Sequence, residues 1–345
     1  MESETLAINQ GVSSTTVMQN ERQVVRQAGR QAILQFLEQH ACFSVLRASG
    51  KVVVFDTRIP IQLAFYALVE HDMLAAPLWD PVKCQFVGML TVTDFIDILR
   101  YYKATGKDIS ALATRGIAEI LREAAEDSRK SGHHPFCIRP FVGADSACTL
   151  KQACEQLHRN SHDFLPIVFT EDMRVLACIT YTNVLEHLVL HFREQRRLFD
   201  DSISELSIGT YGSALIVAHP NQSLSDALAL MHQNNLSALP VVDPNTSKII
   251  GVYSRSDITF LTKATDAEHA VKNLELPLSE ILSQSRQDVT TPDALRTCSQ
   301  SYTLQAIFET FAQVRFNRLY VVDQQDRLIG VVSARDLVAY FLSSD

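Results

Sequence analysis

The hydrophobic pattern of the chain follows one local plan four times. Stretches in which apolar residues recur at spacings of three and four, as Leu224, Ala227, Leu228 and Met231 do, predict amphipathic helices over 60–70, 150–159, 223–234 and 304–314. Each is followed by a short apolar run that predicts a buried strand, over 76–80, 165–169, 239–243 and 319–323. A polar turn then leads to a second strand that runs directly into a second helix, over 88–98, 177–187, 251–261 and 330–340. Opening strands are expected at 51–56, 136–141, 214–218 and 297–301. The unit is therefore β-α-β-β-α and returns every ~75–90 residues. Solenoid repeats return every ~20–50 residues, so each unit here carries much of its own core.

The second strand–helix junction has a fixed chemistry. A small residue and two apolar residues precede a Ser or Thr, and an Asp follows three positions later: Thr91 with Asp94, Ser254 with Asp257, Ser333 with Asp336. The second copy has Thr180 with Asn183. A hydroxyl at the N-cap and an acceptor three residues on form a capping box. A carboxylate there also faces the positive end of the helix dipole, for about 0.3–1 kcal/mol. Capping alone accounts for any one of these acids; their recurrence is what makes them candidate ligands.

Composition narrows the classes. Hydrophobic residues make up 46% and charged residues 20% of the 345, which describes a globular chain. The net charge of −8 argues against a general binder of nucleic acid while leaving room for a local basic pocket. No signal peptide and no apolar run of membrane-spanning length is read from the sequence, so no membrane partner is expected. Residues 1–20 are polar and expected to be disordered, and residues 21–40 place Val24, Val25, Ala28, Ala32, Ile33, Phe36 and Leu37 on one helical face. The seven cysteines are scattered with no Cys-x-x-Cys pair, which suggests buried reduced thiols. His133 and His134 lack partners at ligand spacing, and His187 and His191, four apart, lack the acid of a zinc helix. These two are expected to be partly exposed helix residues, and no metal is expected. Neither a Gly-rich phosphate loop nor a nucleophile elbow is present, so no catalytic residue is assigned.

The expected layout is a tail and helix over 1–40, repeats at 41–103, 133–195, 205–268 and 295–345, and connectors at 104–132 and 269–294. Within the first connector, 117–125 is helical by pattern.

Units of this order, ending in Gly-apolar-apolar-Ser/Thr-x-x-Asp, resemble CBS domains. Several runs resemble more specifically the γ regulatory subunit of AMP-activated protein kinase. They are 52–57, the Ala-Ala-Pro-Leu-Trp-Asp run at 75–80, 86–95, 101–103, 208–211 and 237–243, and the resemblance covers roughly 35–343. It implies an α/β (α+β) fold of four CBS repeats, paired into two Bateman modules forming a flattened disc with adenine nucleotides (AMP, ADP or ATP) at its centre. By resemblance, Asp94, Asp257 and Asp336 match ribose ligands. Thr91 and Thr93 match the adenine side of a first site, and Thr210, Ser237 and Ser333 the surroundings of Asp336. His162, Arg255 and Arg318 match phosphate ligands.

The chain departs from the family at Leu74, Asp163, Asn235 and Asn317, where the family has Arg, Arg, Arg and His, and at Asn183; Arg255 replaces a Lys. Each lost charge-assisted bond costs ~1.5–3 kcal/mol, so weakened or altered nucleotide sensing is expected, least at Asp336. The implied function is non-catalytic: regulation of an AMP-activated (SNF1-type) kinase in a heterotrimer with a catalytic α and a scaffolding β subunit. A β-subunit strand is expected to add near residues 51–55, in a cytoplasmic and also nuclear setting. The alternatives are a CBS-repeat scaffold that binds no nucleotide, or a regulatory protein of another enzyme.

Overall fold

The structure, a computed structural model, describes residues 2–46, 52–71, 73, 75–131, 138–160, 164–192, 200–234, 236–254, 257, 272–285, 294–314 and 317–343, with the backbone alone at 2–19, 130–131, 284–285 and 312–314. The chain begins with one helix, α1 (Glu2–Gln39). This corrects the expectation of a disordered 1–20: no proline interrupts the stretch, and a polar composition by itself does not oppose a helix. The buried stripe of α1 also differs from the expected face. Ile33 and Leu37 are fully buried, while Val24 and Val25 are 64% and 44% exposed: among the described side chains of α1, burial begins only at Gly29.

The first repeat contains β1 (Phe55–Asp56), α2 (Ile61–Glu70), β2 (Ala75–Asp80), β3 (Gln85–Thr91) and α3 (Val92–Thr105), followed by α4 (Ile117–Ser131). The second contains β4 (Ala144–Asp145), α5 (Leu150–Arg159), β5 (Phe164–Phe169), β6 (Arg174–Thr180) and α6 (Tyr181–His191). In the third, β7 (Thr210–Tyr211) precedes α7 (Leu224–Gln233), β8 (Ala238–Val242) and β9 (Ile249–Ser254), with α8 (Leu278–Ser285) beyond. The fourth has β10 (Thr297–Ser299), α9 (Leu304–Val314), β11 (Arg318–Val322), β12 (Leu328–Ser333) and α10 (Ala334–Leu342). The sheets run β1-β2-β3, β4-β5-β6, β8-β9 and β10-β11-β12-β7. In each of the three fuller sheets the opening strand pairs parallel with the next strand and the last two pair antiparallel.

The opening strands are where expectation and structure part. Among the described residues 52–56, only Phe55 and Asp56 pair, opposite Leu78 and Trp79. The second repeat opens at Ala144, opposite Ile167; of the expected 136–141, the described residues 138–141 form no strand of its sheet. Ile138 and Arg139 instead lie across the first repeat: Met89 N donates to Arg139 O at 2.9 Å, beside Gly88. In the third repeat Ala218 makes a single parallel bridge to Val241, after a 3-10 turn at Gly212–Ala214. Leu215 and Ile216 line a cavity, and Ile216 also packs against a hydrophobic core, without forming a strand.

Helix faces join repeats that are not neighbours in the chain. One core unites the first and third repeats, with Phe65, Leu99 and Tyr102 meeting Leu228, Met231 and Tyr253. The other unites α1 with the second and fourth, through Ile33, Leu157, Leu188, Phe311 and Phe341. A small third cluster, Ala238, Val252 and Tyr320, joins the sheets of the third and fourth repeats. One of the two histidines of α6 departs from expectation: His187 is buried, against His40, Phe36 and His191, and desolvation lowers its pKa to about 4, while His191 is exposed.

Candidate functional site

Three helices begin in the same way. Thr91 N and Oγ1 donate to Asp94 Oδ2 at 2.6 and 2.7 Å, and Asp94 N returns a bond to Thr91 Oγ1. Ser333 N and Oγ donate to Asp336 Oδ2, both at 2.8 Å. Thr180 does the same with Asn183 Oδ1 at 3.0 and 2.9 Å. Ser254, fully buried, donates to Asp257 Oδ2 at 2.7 and 3.0 Å. Local sequence therefore fixes a shared capping geometry, and the surroundings distinguish the copies.

A cavity of about 520 Å³ opens where the four repeats meet. The first repeat contributes Val92 and Thr93, the second Tyr181, Thr182 and His158, the third Thr210, Leu215, Ile216 and Ser237, and the fourth Asn317, Arg318, Ser333, Arg335 and Asp336. Thr93, Thr182 and Arg335 each immediately precede the capping acceptor. The first turns of α3, α6 and α10 thus converge on one space, and the positive ends of their helix dipoles favour an anion there. Side chains add to this: Arg318, Arg335 and His158 against one carboxylate, Asp336, among the described lining residues. The remainder of the wall is largely apolar, with Leu68, Val69, Met73 and Leu236. A volume in the range of small-molecule sites, with a few convergent polar groups on an apolar wall, defines a ligand pocket.

Thr210 reaches this wall through an unusual strand. β7 leads into the third repeat yet pairs antiparallel with β12 of the fourth, Thr210 opposite Val331 and Tyr211 opposite Gly330. Gly209 makes that approach possible. Its φ is 112°, and a Cβ there would stand 2.6 Å from Val331 O. Tyr211 Oη donates to Ile208 O at 2.9 Å, and burial first, then nearby Cys298 and Asp336, pushes its pKa up to about 12. Arg318 is held at the seam by a bond from Nη2 to Ser237 Oγ. The Thr93 hydroxyl is buried in this wall without a hydrogen-bond partner, an orphan that a polar ligand atom would satisfy.

Of the residues proposed from sequence, Thr93, Thr210, Ser237, Arg318, Ser333 and Asp336 are brought together on this cavity. Thr91, Asp94 and Asp257 are not among its lining residues. Asp94 is 8% exposed, and desolvation first, with nearby Asp97, raises its pKa to about 6 against the opposing effect of its Thr91 bonds and Arg139. His162, Arg255, Leu74, Asp163 and Asn235 lie outside the described residues. Thr182 and Arg335 were missed in the sequence reading, although both occupy the position before the recurring Asp/Asn, which is the signal that finds them. No cluster of His, Cys, Asp or Glu among the described residues is arranged to hold a metal, and no described helix is long and apolar enough to cross a membrane.

The CBS domain model matches residues 135–190, 211–262 and 287–343, and the repeats with their shared junction are similar to that domain. The chain is also similar to γ subunits of 5′-AMP-activated protein kinase. It is 32% identical to the γ subunit of Dictyostelium discoideum over 317 residues, 91% of this chain and 53% of that protein. Against the human γ-3 subunit it is 31% identical over 317 residues, 91% of this chain and 61% of the relative. The chain thus spans between about half and three fifths of the length of these relatives. In fold it is similar to a Methanocaldococcus jannaschii protein described as an archaeal homologue of γ-AMPK, with a TM-score of 0.68 and 18% identity over 87% of this chain and 99% of that one.

Proposed function

We propose that this chain is a non-catalytic regulatory subunit that binds adenine nucleotides in the cavity shared by its four repeats, and couples their binding to an AMP-activated protein kinase. The observation that carries this reading is the junction of Asp336 and Ser333 with Thr210, Ser237 and Arg318 on one electropositive wall of an acidic protein. A carboxylate accepts both hydroxyls of a vicinal diol, the apolar wall suits a purine, and Arg318, Arg335 and three helix N-termini suit a phosphate.

Asn317 lines the wall where relatives of the family are expected to carry a histidine. With Leu74, Asp163 and Asn235 this reduces the cations available to a phosphate tail, so the proposed sensing is weaker or more selective than a full ligand set gives. Regulation follows only if nucleotide affinity differs between two states of the complex. The catalytic α and scaffolding β subunits are the proposed partners. β1 is the outer strand of its sheet, and Val54 beside it is 41% exposed, which suits addition of a β-subunit strand at 51–55.

Calorimetric titration of the purified chain with AMP, ADP and ATP tests the reading. Saturable heat with at least one of them is expected; no heat with any of the three sinks the nucleotide-sensing role.

A further inference from the structure

Where α1 ends, the chain lies antiparallel to the segment that leads into α5. Leu150 N donates to His40 O and Cys42 N to Cys148 O, both at 2.8 Å, and Phe43 N donates to Ser146 O at 3.2 Å. Ala41 bridges Thr149, so Cys42 and Cys148 stand directly opposite one another in this short ladder. Residues opposite in an antiparallel pair have Cα atoms ~4.5–5.5 Å apart, within the ~4.4–6.8 Å that a disulfide spans. Their sulfurs are in hydrogen-bond contact at 3.2 Å.

We propose that Cys42 and Cys148 form a modification site, a dithiol that a hydroperoxide converts to an intramolecular disulfide, fastening the end of α1 to the second repeat. The two thiols are unequal. Cys148 is half-buried, and its hydrogen-bond contact with Cys42 holds its thiol below the usual range. Cys42 is fully buried, and that same bond together with burial pushes its thiol up. The Cys148 thiolate attacks one peroxide oxygen, the O–O bond breaks, and a sulfenic acid and hydroxide result. The Cys42 sulfur then attacks the sulfenic sulfur, the S–S bond forms, and the sulfenic hydroxyl leaves as water with the Cys42 proton. Overall two thiols lose two electrons and the peroxide becomes two waters.

The other described cysteines are poor competitors. Burial pushes Cys154, Cys178 and Cys298 up to about 12. Cys84 is exposed, and its bond runs to Pro81 O, not to a thiol.

The test treats the full chain with stoichiometric hydrogen peroxide under native conditions, alkylates it, and maps its peptides by mass spectrometry without reduction. A linked Cys42–Cys148 peptide, lost on reduction, is expected in the wild type and in Cys84→Ser, and is absent in Cys148→Ser. Closing a loop of this size raises the apparent Tm of the oxidised wild type on the order of 5 °C over the reduced form, and Cys148→Ser shows no such shift. Because Cys42 is in the core, Cys148→Ser, at a half-buried position, is the decisive variant. Recovery of both cysteines in alkylated form after peroxide, or a bond from either to a different cysteine, overturns the proposal.

Discussion

Asp94 and Asp336 occupy the same position of the same motif, with nearly the same bonds to their capping partners, yet only one of them lines the cavity. The difference lies in what covers the second strand of each repeat. Along β3 lies Arg139, at the lead-in to the second repeat, and burial raises nearby Asp94 to about 6 against the lowering effect of that guanidinium. Along β12 lies β7, which brings Thr210 to the wall beside the half-buried Asp336. The junction motif therefore encodes a helix cap, and whether that cap also meets a ligand is decided by a segment from another repeat.

The largest effect that tests this contrast is on affinity. If Asp336 holds the diol of a nucleotide as proposed, Asp336→Ala removes two charge-assisted bonds, each worth ~1.5–3 kcal/mol, and is expected to weaken nucleotide binding about 100-fold or more. Asp94→Ala is expected to change it less than about twofold, since that carboxylate stays outside the cavity. Equal losses in a calorimetric titration would erase the distinction.

The next effect is on stability. The raised Asp94 pKa means that the folded state holds its proton more tightly than the unfolded chain does. Its contribution is therefore greatest below the unfolded carboxylate value near 3.8, falls as pH rises towards about 6, and is flat above that. The total change is at most about 3 kcal/mol. Asp94→Asn is expected to flatten this dependence in urea melts between pH 4 and 7 while keeping the cap, because Asn183 already accepts both Thr180 bonds in the second repeat. A pH dependence that survives Asp94→Asn would place its source elsewhere.

Arg318→Ala is expected to cost about tenfold in affinity for AMP, and clearly less for adenosine, if this guanidinium serves a phosphate. An equal loss for both ligands would mean that Arg318 acts through its bond to Ser237, as a brace of the seam. The smallest effect is at the caps themselves. Thr91→Ala and Ser333→Ala each lose a capping hydroxyl worth ~1 kcal/mol of stability, measured as a shift in denaturation midpoint. Only Ser333→Ala is expected to alter nucleotide affinity as well.

Much of the fold was legible because its signals are local. The helices α5 and α9 lie at the residues their periodicity marks, and α2 and α7 within one residue at each end. The capping boxes follow from Ser/Thr and Asp/Asn spaced three apart. The opening strands were less legible, since a parallel pairing of one to three residues depends on what the partner offers and not on an apolar run. The 214–218 segment shows this: its Leu215 and Ile216 serve the cavity wall. The candidate site was readable at Asp336, Ser333 and Arg318 from motif and resemblance. The convergence of Thr93, Thr182 and Arg335 was not, because it joins residues from three repeats that only tertiary packing brings together.

The pairing of cores has a consequence for how the chain is made. One core needs the first and third repeats and the other needs the second and fourth. A nascent chain that has delivered two repeats from the ribosome therefore displays two unfinished apolar faces, and neither is covered until a partner emerges much later in synthesis. Such long sequence separation slows folding and exposes intermediates to aggregation. β7 adds to the delay, because the threshold of the third repeat waits for a strand of the fourth. The molecule closes last at the place where its ligand is proposed to sit.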